Sequence, residues 1–190
     1  MKPLLPLATV AISATMLIFT GCASNLSYQE AMNKNRRSLE SMERLEDAEF
    51  LVEARSFNLL EKKVNELASQ KGYSAELVQY AKAELEEQEN LESELNKVSR
   101  KEKIKLPSEM KAEHEQLYQD LASTARSDFD ARYIDVLEDI NDDHSRLFEE
   151  QASQANDADV RAFAARKLGM LRANEDELSK VDDQLMQTHR

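Results

Sequence analysis

Beyond residue 22 the chain contains only three residues that interrupt a helix: Gly72, Pro107 and Gly169. The stretches between them are rich in Ala, Leu, Glu, Lys, Arg and Gln, the strongest helix formers. No alternating run of β-branched residues appears. Long segments without breakers and without a two-residue period leave one fold class, all-α.

Apolar residues at three- and four-residue steps divide the chain into helices. Phe50, Ala54, Phe57, Glu61, Val64 and Ala68 lie on one face of a first long helix, from about Leu45 to Gln70, and Gly72 ends it. Ser74 caps a second helix with the stripe Leu77, Ala81, Glu84, Gln88, Leu91, Leu95 and Val98, which fades near Lys103. After Pro107, Ser108 is the expected cap of a shorter helix, Glu109 to about Ser123, with Met110, Leu117 and Leu121 along a thin apolar edge. From about Asp128 to Ala155 the stripe is Phe129, Tyr133, Val136, Leu137, Ile140, His144, Leu147 and Phe148. Asn156-Asp157 makes a tight connection, with Asp157 as cap. The last helix runs to about Thr188 with Val160, Phe163, Ala164, Leu168, Leu171, Asn174, Leu178, Val181 and Leu185 facing inward. Two hairpins joined by a longer crossover predict an antiparallel four-helix bundle of the ferritin-like kind over residues 45–188, with a short extra helix in the crossover. A faint repeat agrees. Leu77, Tyr80, Ala81 and Leu85 correspond to Val160, Phe163, Ala164 and Leu168 at a constant offset of 83.

The start of the chain follows different rules. Lys2 and an apolar run from Leu4 to Thr20 describe an export signal, too short for a permanent membrane helix. Phe19-Thr20-Gly21-Cys22 resembles the bacterial lipobox, with Phe19 in place of the usual Leu. The expected organisation is a lipoprotein signal peptide over 1–21, lipidation on Cys22 and an N-terminal tether over 22–44. An ordinary secretory signal cut after Ala23 is the other reading. Cys22 is the single cysteine, so no internal disulfide exists. Ala23 and Ser24, with no Asp, resemble lipoproteins sent to an outer membrane, which places the domain in the bacterial envelope facing the periplasm.

Charge narrows the partners. Loss of Lys2 with the signal leaves 24 of the 25 basic side chains against 37 acidic ones. Such a surface repels phosphate backbones and anionic lipid, which excludes nucleic acid and peripheral electrostatic docking. The expected partners are the membrane, through the lipid on Cys22, and an envelope protein. Arg36-Arg37 and Arg100-Lys101 read as solvated helix surface.

Short segments spread over Asp47 to Asp183 carry a family resemblance. They are Asp47-Ala48-Glu49-Phe50-Leu51 with Ala54, Glu61 with Leu67-Ala68, and Leu77, Tyr80-Ala81 and Asn96. Leu106-Pro107-Ser108, Phe129-Asp130 with Tyr133, Phe148-Glu149 and Asp159-Val160-Arg161-Ala162-Phe163-Ala164 follow in order. The sequence resembles the bacterial ferritin-like "predicted outer membrane protein" family, a domain of unknown function numbered forty-one forty-two. The resemblance implies an acidic-His pair in the second helix and one inward His in each of the fourth and fifth. Here Glu87-Gln88, Asn141 and Asn174 stand at those places, and Gly169 replaces a Pro.

A carboxylate-bridged metal in a bundle requires Glu from two helices and Glu-x-x-His from two others. No Glu-x-x-His occurs, and Gln88, Asn141 and Asn174 are neutral amides. No metal or other cofactor is expected. The remaining weak candidates are Glu61, Glu84, Glu87 and His144, of which Glu61, Glu84 and His144 could hold one divalent ion. The other reading of these polar residues is a hydrogen-bonded layer that fixes helix register. Glu84, if buried, requires a partner, for which Lys167 is suited. His114 and His189 are expected at the surface. With no Gly-rich phosphate loop and no nucleophile-base constellation, no catalytic residue is assigned. The leading expectation is a non-catalytic envelope lipoprotein with a structural or protein-interaction role. The alternatives are a metal-binding ferritin relative with a redox or stress role, and an extended coiled-coil spacer.

Overall fold

The computed structural model describes residues 25–188, which form six helices and no strand. These are α1 (Tyr28–Ser38), α2 (Met42–Lys71), α3 (Ala75–Lys101), α4 (Ala112–Ser123), α5 (Phe129–Gln154) and α6 (Ala158–Thr188). The expected signal peptide, Cys22 and His189 lie outside the described residues. No helix within them is long and apolar enough to cross a membrane.

Local chemistry sets the helix ends. Ser41 and Ser74 accept the backbone N–H of Arg44 and Leu77 at 3.3 and 3.0 Å. Asp157 accepts those of Asp159 and Val160 at 2.8 and 3.2 Å. Each satisfies donors that a helix start leaves unpaired. Gly72 ends α2 for a steric reason, with φ −51° rather than a left-handed angle. A Cβ there would lie 2.8 Å from the Ala68 carbonyl and 2.9 Å from the side chains of Leu77 and Val78. The left-handed residue is Lys103, φ 58°, two positions beyond the end of α3. There the Ile104 N–H reaches back to the Ser99 carbonyl at 2.8 Å, which closes α3 and buries Ile104.

The connections of α2 to α3 and of α5 to α6 are short, so each pair is an antiparallel hairpin. The hairpins pack together through α3 against α6 and α2 against α5. α2 touches α1, α3, α4 and α5. Its predicted stripe is buried throughout, and so are Ala48, Leu51, Val52, Ser56, Asn58, Leu60 and Asn65. The apolar interior falls into two main clusters. One gathers Phe50, Leu95, Phe148 and Phe163; the other gathers Leu60, Leu77, Phe129 and Leu178. Each such side chain contributes roughly 1.5–3 kcal/mol on leaving water. A polar layer separates the two clusters.

The structure extends the repeat into the first helix of each hairpin. Asp47 accepts the N–H groups of Asn156 and Asp157, both at 2.8 Å. Asp130 accepts those of Tyr73 and Ser74 at 2.9 and 2.8 Å. Donors and acceptors alike differ by 83 in number. Each hairpin therefore fastens the other's turn with an aspartate at the start of its own first helix.

The N-terminal stretch, which reads in the sequence as a partly helical tether, holds the helix α1 docked on its neighbours. Ser27 and Glu30 form a capping box, and α1 buries Ala31 and Asn35 against the bundle. Ser108 does not cap α4, which begins at Ala112 after Lys111 without a side-chain cap. Its backbone N–H donates to the Leu26 carbonyl, and its Oγ accepts the Leu26 N–H, both at 2.8 Å. The last helix, α6, runs on through Gly169, as its apolar stripe predicts. That position is exposed, and a Cβ would have nothing within 4 Å. Gly169→Ala is therefore expected to stabilise the fold by about 0.5–1 kcal/mol. Urea denaturation is the check, and a loss of stability would refute this account of α6.

Candidate functional site

The polar layer centres on Glu61 of α2, which is 4 % exposed. Lys167 of α6, 2 % exposed, places its ammonium 3.4 and 3.2 Å from Oε1 and Oε2. Gln88 of α3 donates to Oε2 at 2.7 Å and accepts at its own Oε1 from Asn58 at 2.7 Å. Asn58 in turn accepts from Arg55 at 3.1 Å, and Arg55 pairs with Glu92 at 2.8 Å. A continuous polar chain thus runs from the α2–α3 surface to the interior carboxylate.

His144 of α5 is fully buried, with Nδ1 3.0 Å from Glu61 Oε1. The ring is turned so that neither nitrogen completes a hydrogen bond of good geometry with the protein. The contact is therefore electrostatic rather than directional. Phe57 stands perpendicular to the imidazole, with ring centroids 3.6 Å apart.

Burial by itself would raise the Glu61 carboxyl. Lys167, His144 and the Gln88 hydrogen bond outweigh it and hold the acid well below the usual carboxylate range. Burial pushes the other way on His144, lowering it despite Glu61. Lys167 exerts the larger pull on Glu61 and is the main counter-charge. Glu84 lies on the same layer and donates nothing to the pair. It accepts from Asn174 Nδ2 at 2.8 Å, and burial and the Glu61 charge push its carboxyl up to about 7.

The sequence-derived site residues separate into two groups. Glu61, Glu84, Gln88, His144 and Asn174 come together in the layer. Glu87 is exposed, pointing away from it. Asn141 is half-buried and borders a surface hollow of about 280 Å³ with Glu138, Asp142 and Glu175. Lys167 pairs with Glu61, not with Glu84 as expected, because its ammonium reaches both Glu61 oxygens while Asn174 occupies Glu84. His114 is buried rather than exposed, with Nδ1 2.8 Å from Ser56 Oγ and its ring 4.4 Å from that of Phe57. Burial and the nearby Lys111 charge lower it to about 4. The offset of 83 was the available signal for the layer. It relates Glu61 to His144 and Glu84 to Lys167.

The donor set does not fit a resident metal. Among the described residues no three His, Cys, Asp or Glu side chains converge as ligands. The Glu61 oxygens, which a cation would use, already face an ammonium that would repel it. The chemistry of the layer is that of an internally neutralised carboxylate.

A family model for a domain of unknown function, DUF4142, matches residues 31–181. The chain belongs to this family. The DUF4142 match spans all six helices, from within α1 to within α6, so it includes the docked α1 and every residue of the polar layer. No curated protein and no solved structure matches the chain.

Proposed function

We propose that this DUF4142 chain is a non-catalytic envelope lipoprotein, a ferritin-like four-helix bundle that serves a structural or protein-interaction role at a membrane. One observation carries the reading: the Lys167 ammonium sits on Glu61, where a cation would be bound. A side chain thus supplies the positive charge, and the layer is complete in hydrogen bonds on the Glu61, Gln88 and Asn58 side. The two hairpins with a long crossover support the ferritin-like architecture. The lipobox-like run before Cys22 and the acidic composition support a lipid-anchored protein with neither nucleic acid nor an anionic lipid surface as partner. Outer-membrane attachment facing the periplasm follows from Ala23-Ser24 after the cysteine.

The test is metal analysis of the purified protein after incubation with iron(II) or manganese(II) and dialysis. The expected result is far less than one ion per chain and an unchanged melting temperature on adding either metal. One or more tightly held ions, lost in Glu61→Ala, would overturn the reading. A specific observation favours the second reading, a metal-binding ferritin relative with a redox or stress role: both His144 nitrogens lack a hydrogen bond beside Glu61. In that reading Lys167 swings away on loading, so metal would raise the melting temperature of the unmodified protein.

A further inference from the structure

We propose that the bundle rests side-on against the bilayer, with the flank of α1 and the start of α4 facing the lipid surface. The inference rests on acylation of Cys22 and adds to it a fixed orientation. The chain is pinned very close to that cysteine. Leu26 is buried against Ala31 and Val52, and two backbone-directed bonds of 2.8 Å fasten it to Ser108 of the crossover. A second clasp lies at the other end of α1. There the buried Asn35 donates to the Lys105 carbonyl at 2.9 Å and accepts the Lys105 N–H at 2.8 Å. Only four peptide steps separate Leu26 from Cys22, so the acylated residue stays within about 14 Å of Leu26. A bilayer holding that lipid must lie equally close to this flank.

The pin sits beside the middle of α2, not at an end of the bundle. Val52 touches Leu26, Arg55 donates to the Pro107 carbonyl, and the Lys111 N–H donates to Ser56 Oγ at 2.9 Å. These residues lie some 10 to 14 positions into α2, roughly 15–21 Å along its axis. Anchoring at mid-helix leaves the long axes lying along the membrane. α6 packs on α3 and α5 and forms the far side, about 20 Å farther out at 8–10 Å per helix layer. The acidic surface supplies no attraction to anionic lipid, so the short pinned lead, not charge, sets the distance.

Full-length acylated protein in phosphatidylcholine vesicles carrying a headgroup quencher tests this. Because Cys22 is the single cysteine and is blocked by the lipid, Ala112→Cys and Ala173→Cys each offer one labelling site. Both positions are exposed. A fluorophore at 112 is expected to be quenched several-fold more than one at 173. A ten-residue Gly-Ser insertion between Ser24 and Asn25, which adds a reach of about 17 Å, is expected to erase the difference. Equal quenching at both sites without the insertion, in protein that floats with the vesicles, would overturn the orientation while leaving the lipoprotein reading intact. Failure to float, with no acyl group on Cys22 by mass spectrometry, would sink both.

Discussion

Replacing Lys167 by methionine is expected to lower stability by about 3–5 kcal/mol at pH 7, the cost of stranding one member of a buried ion pair. The methionine fills much of the same volume, so the loss arises from charge rather than from a cavity. Glu61 then keeps the burial that disfavours its anion and loses the ammonium that opposed it. Its carboxyl moves up above the ordinary value of 4.5. A folded-state value above the unfolded one makes stability fall as pH rises, so the variant is expected to be weakest at alkaline pH and to recover part of its loss near pH 5. Glu61→Gln strands the ammonium instead and is expected to cost a similar amount. The double variant Glu61→Gln with Lys167→Met removes both charges and keeps an amide for Gln88 to bond. Its loss is expected to fall well short of the sum, with a coupling of roughly 1–3 kcal/mol. Urea denaturation of the four proteins at pH 5, 7 and 8 measures all of this. Additive losses, or a Lys167→Met loss below 1 kcal/mol, would show that the pair does not hold the layer.

The long helices were legible because burial repeats with the helical period and because so few residues can stop a helix. The stripes read from α2, α3 and α6 are buried at every named position. What escaped was fixed by single hydrogen bonds between residues far apart in the chain. Nothing in the polar run Asn25–Arg44 signals that Asn35 clasps Lys105 or that Leu26 meets Ser108, 82 residues away. Ser108 was read as a cap because a serine after a proline suits one, yet it is engaged across the fold. His114 looked exposed because α4 has a thin apolar edge; its burial comes from Phe57 and Ser56 on α2. α2 carries more than one stripe because four helices surround it, a tertiary fact that periodicity along one helix does not encode. For the layer, the sequence placed Glu61, Glu84, Gln88, His144 and Asn174 on inner faces. It could not choose which acid Lys167 reaches, since Glu61 and Glu84 face the same interior and only distance separates them. Asn141 was carried inward by family spacing, whereas its own helical phase puts it at the rim.

Glu84 makes the parent fold itself depend on pH, in the same direction as the Lys167→Met variant. Burial, the Glu61 charge and Glu87 push its carboxyl up to about 7, against Lys167 and the hydrogen bond from Asn174. Between about pH 4.5 and 7 the folded chain holds a proton that the unfolded chain has released. Stability from this group is therefore complete below the unfolded value and is lost as pH rises through 7. A shift of this size corresponds to about 3 kcal/mol at full strength. His114 and His144, both lowered by burial, act in reverse and weaken the fold as pH falls below about 6.5. Glu84→Gln isolates the first effect, because glutamine keeps an oxygen for Asn174 and cannot ionise. The variant is expected to match or trail the parent at pH 5 and to exceed it by about 2–3 kcal/mol at pH 8. Urea denaturation of both proteins from pH 5 to 8 is the check. Parallel stability curves would mean that Glu84 titrates as an ordinary surface acid and that the α3–α6 contact with Asn174 opens to water. A gap that widens with pH would identify Glu84 as an acid buried in its neutral form. The layer would then hold one permanent ion pair, Glu61 with Lys167, beside one neutral acid, and would stay nearly uncharged overall up to neutral pH.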